Sequence, residues 1–394
     1  MKSKNLQITV CYTLIFICAV IITTIGPLVN EMEAAFSLQM AESGVLLMAM
    51  FIGFTIFTFT GGVLADRFGK KNVLFTFLGI MTCSLLAISF AGSFWTACVL
   101  LLAIGGGAGI MESMSNALLS EIGQEKGTFH VNMVQVVFGI GAFAGNALIG
   151  LCLSSGIPWR TIYIALAVLG AVSAILTGAT RMPKLPPQDK ISFHAFRRLF
   201  SSPVFIAVCI CLLLYTGSEA GAWGWMATFM KENLAFSKLD SSMSVGVFWL
   251  AMVAGRLIVT ALMRKLKIRT LILILAFPSA AATLGSAFVT TREMGWVVTV
   301  LMGFCYSSIW PLLVSYGSER YKQNTGTVFA TFIASGGVGM STIPLLMGMM
   351  GQYINIRTAM ALPAVFFLAI GILFLFIERI SIRSGLAEPP KLEG

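Results

Sequence analysis

Twelve long apolar blocks, separated by short polar segments, leave this chain few ways to fold. A helix needs about 20 apolar residues to cross the hydrocarbon core of a bilayer. Blocks of that order lie at 6–28, 41–60, 72–91, 95–119, 129–151 and 159–180, then at 203–229, 242–263, 270–289, 294–316, 325–350 and 357–378. Backbone N–H and C=O groups in lipid must be satisfied within their own segment, so each block is expected to be a helix. Only 11% of the 394 residues are charged, against 57% hydrophobic. A soluble domain carries about a quarter charged residues, so the expected fold is an all-α membrane protein of 12 transmembrane helices. The opening MKSK and its long apolar run read as the first span, because no small-residue cleavage site follows.

The blocks fall as six, a linker and six: a first half at 1–181, a cytoplasmic linker at 182–202 and a second half at 203–394. Basic residues test the count. With both termini inside, 20 Lys and Arg fall on the cytoplasmic side, including Arg67, Lys70, Lys71, Arg264 and Arg320. Five (Arg160, Lys231, Lys238, Arg292 and Arg357) fall outside, and Arg256 sits within a span. One miscounted helix would scramble this asymmetry, which is the usual mark of cytoplasmic loops. The same rule accounts for the net charge of +10 without invoking nucleic acid. The eight cysteines lie inside apolar blocks, where they behave as small hydrophobes. The halves echo each other, with NALLSEIGQEKGT ending span 4 and PLLVSYGSERYKQNTGT ending span 10. Internal repeats are a common plan of secondary transporters, with the solute site between them.

Ionisable groups inside a membrane are expensive and usually functional. Three lie well within spans: Glu112, Glu219 and Arg256. Asn116 shares a helical face with Glu112, and Asn132, Gln135, Gly139 and Asn146 form a polar stripe on span 5. The stripe suits either a solute or proton site or hydrogen-bonded glue between helices. In span 7, Glu219 stands one turn from Trp223, whose ring offers a face for a sugar; Trp225 reads as an interfacial anchor. At 1.5 Å per residue, Arg256 and Glu112 lie about 12–13 Å inside the cytoplasmic edge, so the two are expected to pair in one state of a transport cycle. Snorkelling of Arg256 to the cytoplasm is the alternative.

Between spans 2 and 3 runs GGVLADRFGKKNVL. Gly61 allows close helix approach, Gly69 a tight turn, and Asp66 can cap backbone N–H groups or pair with a cation. Gly61, Asp66, Arg67, Gly69, Lys70 and Lys71 resemble the signature loop of the major facilitator superfamily, which implies a twelve-helix carrier with this loop as a cytoplasmic latch. LLLYTGSEAGAWGWMATFM, FWLAMVAGRLIV and GAGIMES with Asn116 resemble the fucose–galactose–glucose:proton symporters. Span 1 lacks the acidic residue that several of these carry, so Glu112 or Glu219 is expected to take the proton. GAFAGNALIG in span 5 resembles the drug-antiporter signature, with Asn146 where that pattern has proline.

Catalytic motifs are missing. The two histidines, His130 and His194, lie at a helix entrance and in the linker, and GGGAG follows no strand. The expected function is secondary active transport by alternating access, with proton-coupled uptake of a sugar or similar polar solute. Proton-driven efflux of an apolar compound and a non-transporting solute sensor are the alternatives. Glu112, Glu219 and Arg256 are assigned to proton coupling, with Glu112 as the proton-coupling carboxyl, and Asn116, Asn132, Gln135 and Trp223 to the solute. Neither an enzymatic activity nor a metal or cofactor is expected. The partners are a small solute, protons and lipid, in a bacterial cytoplasmic membrane.

Overall fold

A computed structural model describes residues 2–123, 127–180, 199–321 and 325–383. Most of the 182–202 linker, with His194, lies outside these residues, as do the side chains of Asp66 and Asn132. Fourteen α-helices are described: α1 Lys2–Thr23, α2 Ile25–Phe36, α3 Met40–Phe68, α4 Lys70–Ile88, α5 Phe94–Gly123, α6 Gly127–Ser154, α7 Trp159–Ala179, α8 Pro203–Leu234, α9 Lys238–Leu262, α10 Ile268–Gly285, α11 Arg292–Tyr306, α12 Ile309–Arg320, α13 Thr325–Tyr353 and α14 Ile356–Arg383. They make 12 spans long and apolar enough to cross a membrane, as expected. Large apolar side chains such as Val99, Val168, Ile175 and Val365 stand exposed on them. In water such a surface would be a liability; in lipid it is the solvated face. Helical hydroxyls, among them Thr82, Thr216 and Thr331, donate to the carbonyl four residues back, which satisfies them without a neighbour.

Two spans depart from a single helix. The first runs on to Phe36, past its expected end at 28, and breaks between α1 and α2 at Thr24. The tenth breaks at Ser307 and Ser308, between α11 and α12. Proline lacks an N–H, and its ring clashes with the carbonyl four residues earlier. Pro27 stands four residues after Thr23, and Pro311 four after Ser307.

The chain forms two compact units, one from described residues of 1–187 and 223–249, the other from those of 188–222 and 250–394. Within the first, α1 packs on α6, α3 on α5, and α4 on α7, which are spans 1 with 5, 2 with 4 and 3 with 6. In the second, α10 packs on α14, which is span 9 with 12. Glycines mark the other two counterparts. A Cβ on Gly339 (span 11) would strike the Leu213 carbonyl (span 7), and one on Gly255 (span 8) would strike that of Phe304 (span 10). Three helix pairings thus recur, spans 1, 2 and 3 with 5, 4 and 6, and spans 7, 8 and 9 with 11, 10 and 12.

Small residues let helix backbones meet where lipid supplies no hydrophobic drive between them. At the α3–α5 crossing a Cβ on Gly53 would run into the carbonyl oxygen of Leu102, and one on Gly105 into that of Met50. Gly53→Ala should therefore cost roughly 1–3 kcal/mol through overpacking. The thermal unfolding midpoint of the purified carrier in detergent measures this, and an unchanged midpoint would contradict the crossing.

Residues 223–249, where α8 turns into α9, are fastened to the rest of the first unit by polar contacts. Thr228 donates to Asn30 Oδ1 (2.6 Å), Ser242 donates to the Asn146 carbonyl (2.6 Å), and Lys238 Nζ pairs with Glu31 at 2.7 Å. Glu31 and Lys238 are solvent-accessible, so that ion pair contributes at most about 1 kcal/mol.

Candidate functional site

The break in span 10 exposes two carbonyls, and two side chains from other helices take them. With Pro311 lacking an N–H, the Ser307 carbonyl loses its helical donor, and Arg256 Nε of α9 donates to it at 2.7 Å. The Tyr306 carbonyl accepts from the hydroxyl of Tyr215 on α8 at 2.9 Å. Tyr306 itself meets Thr283 of α10 hydroxyl to hydroxyl at 2.7 Å, and Thr283 donates to the Ser279 carbonyl. Tyr215 and Tyr306 are fully buried and flank Phe367 of α14, with ring centroids 6.2 and 4.4 Å from it. Glu219 lies one turn after Tyr215 on α8. It lies within electrostatic reach of the Tyr215 hydroxyl and of Arg256. Arg256, partly buried, thus has a backbone carbonyl as a partner within the span.

Proton counting gives this cluster a chemistry. A phenol has one proton to donate. Tyr215 gives its proton to the Tyr306 carbonyl, so in this arrangement it could meet Glu219 only as an acceptor, from a protonated carboxyl. An ionised Glu219 would instead draw the Tyr215 proton to itself and leave the Tyr306 carbonyl without a donor. The arrangement thus allows two hydrogen-bonding patterns that would differ by one proton, near Arg256.

The other unit holds an aromatic wall. Phe51 of α3, Trp223 of α8, Trp249 of α9 and Phe138 of α6 succeed one another at centroid distances of 5.3, 6.3 and 5.1 Å. All four are buried. The Trp249 indole N–H has no hydrogen-bond partner among the described residues. A buried donor left so costs roughly 1–3 kcal/mol.

Glu112 and Asn116 stand one turn apart on α5, partly buried, with Glu112 within electrostatic reach of Cys18 on α1. Gln135 is partly buried on α6, one turn before Phe138 of the wall. Asn146 acts as glue: its Nδ2 donates to Thr23 Oγ1 at 3.1 Å, beside the break in span 1, and to the Ala142 carbonyl. Trp225 is fully buried, so the expected interfacial anchor is a packing residue instead. His130 is buried at the start of α6, with its Nδ1 2.6 Å from the Tyr12 hydroxyl. In the signature loop, Gly69 takes a left-handed φ of 85° between α3 and α4, and a Cβ on Gly61 would strike Ile110 of α5. Arg67 is exposed over the Phe68 ring, Lys70 is buried, and Lys71 Nζ donates to the Gly178 carbonyl at the end of α7.

The sequence reading missed Tyr215, Tyr306 and Trp249. Spacing held a signal for two of them: Tyr215 lies four residues before Glu219, and Trp249 seven before Arg256, each on the same helical face.

Paired helix contacts repeated in two halves, with ionisable groups at a broken span, define a multi-pass membrane transporter. The chain belongs to the Major Facilitator Superfamily, whose model matches residues 11–341. It is 21% identical to the sodium-dependent glucose transporter 1 of Danio rerio over 371 residues, 83% of this chain and 61% of that protein. It is 22% identical to the L-fucose-proton symporter of Escherichia coli, over 95% of this chain and 93% of that one. The crystal structure of the E. coli fucose:proton symporter superposes with a TM-score of 0.67 at 20% identity, covering 95% and 99% of the two chains.

Proposed function

We propose that this carrier takes up a sugar together with protons by alternating access, with Glu219 as the principal proton-exchanging group. The observation that carries this reading is the Tyr215–Glu219–Arg256 cluster at the span 10 break, a carboxyl between a phenol and a guanidinium that both hold backbone carbonyls. Glu112 is the second carboxyl assigned to the coupling, with Arg256 as the charge that responds to it. Trp223, Gln135, Asn116 and Asn132 are assigned to the sugar, which needs both flat apolar faces and paired donors and acceptors. The names of the relatives support a sugar as the solute. Asp66, Arg67, Lys70 and Lys71, with Gly61 and Gly69, are assigned to the cytoplasmic latch. The basic-residue asymmetry supports placing both termini in the cytoplasm of a bacterial cell.

The test is uptake of a labelled hexose panel into proteoliposomes of the purified chain under an imposed proton gradient, a sodium gradient or none. Accumulation that follows the proton gradient supports the reading. Accumulation that follows sodium alone keeps the sugar and rejects the proton. Uptake of none of the sugars rejects the sugar.

A further inference from the structure

We infer that the Trp249 indole N–H is a specificity-determining donor that binds one hydroxyl oxygen of the carried sugar. The inference rests on the sugar reading above. Trp249 is 6% exposed and is flanked by the rings of Trp223, Phe138 and Phe248. None of these rings offers an oxygen or nitrogen lone pair, and the N–H has no partner among the described residues. Indole is a donor only, so the group that completes the site must supply an oxygen lone pair. That group must also tolerate ring faces beside it. A pyranose has this combination, with C–H faces for the aromatic rings and hydroxyls at its rim. The four rings come from α3, α6, α8 and α9, so a change in the packing of these helices would open the wall and admit the solute to the donor. Burying the N–H again without solute would leave it unpaired, which disfavours closing the empty site.

The experiment uses the purified full-length carrier in proteoliposomes, with D-glucose, L-fucose and the monodeoxy derivatives of whichever is carried. For the wild type, removal of one particular hydroxyl should weaken apparent affinity about tenfold, while the other deletions have different and independent effects. Trp249→Phe, which keeps a ring and removes the N–H, should weaken binding of the parent sugar by about the same factor. It should no longer distinguish the parent from that one derivative, so the two losses do not add. If Trp249→Phe does not reach the membrane, benzothienylalanine at position 249 removes the N–H with the ring size kept, and the same result is expected. Unchanged affinity, or additive losses with every derivative, overturns the assignment while sugar uptake by the wild type preserves the functional reading. A variant that is more thermostable but binds sugar normally also overturns it, since the donor would then be only a packing defect. A wild type that carries neither sugar sinks both.

Discussion

Carriers with Glu219→Gln are expected to exchange sugar across the membrane yet fail to concentrate it. The substituted amide is isosteric with the protonated carboxyl. It can donate to Tyr215 while Tyr215 continues to donate to the Tyr306 carbonyl. One hydrogen-bonding state is thereby kept, and the other, which needs an ionised carboxylate beside Arg256, is lost. One pH unit supplies about 1.4 kcal/mol per proton, or about tenfold accumulation for one proton per sugar. That accumulation should fall to equilibration in the variant, while counterflow of labelled against unlabelled sugar continues. Glu112→Gln, measured beside it, separates the two carboxyls. If only Glu112→Gln abolishes accumulation, the proton resides on α5 and the Tyr215 cluster has a structural role. Tyr215→Phe gives an intermediate expectation: the Tyr306 carbonyl loses its donor, and the dependence of uptake on pH should shift along with its rate.

The spans were legible because their cause is local. A bilayer requires a fixed length of apolar helix, and the basic residues between blocks mark sides one loop at a time. Gly61 and Gly69 were legible for a related reason, since close contact and left-handed backbone both select glycine. The breaks were not. Pro278, Pro344 and Pro363 also stand inside spans, and their helices run through them. What distinguishes Pro311 is that the freed carbonyls find donors, Tyr215 and Arg256, 51 to 91 residues away in the chain. That meeting is set by tertiary packing. Trp225 failed similarly: an aromatic toward the end of a span reads as an anchor, but only the neighbouring helices decide that it is buried. Glu112, Glu219 and Arg256 stood out because a charge in a membrane is anomalous anywhere. Trp249, apolar in most of its atoms, stood out nowhere until its N–H was seen to lack a partner.

Arg256→Ala should be the most damaging single change in the cluster. It removes the donor to the Ser307 carbonyl, which Pro311 has already cut from its helix, and it strips the counter-charge from the region of Glu219. Whenever Glu219 is ionised, loss of the cation near it leaves a partly buried carboxylate uncompensated, a cost of up to about 3–5 kcal/mol. Transport should drop at least about a hundredfold and the unfolding midpoint should fall with it. Lysine should not rescue, since an ammonium lacks the planar fork that can hold a carbonyl with one nitrogen and face a carboxylate with another. The decisive measurement is a double-mutant cycle. In a Glu219→Gln background there is no carboxylate to strand, so Arg256→Ala should cost 1–3 kcal/mol less than it does alone. A parallel cycle with Glu112→Gln tests the pairing that the matched depths in the sequence suggest. Coupling to Glu219 alone makes the α8–α9 cluster a self-contained proton switch. Coupling to both makes Arg256 the charge through which the two carboxyls communicate. Additive losses in both cycles would reduce Arg256 to a clamp on the broken helix, and the proton route would have to be sought without it.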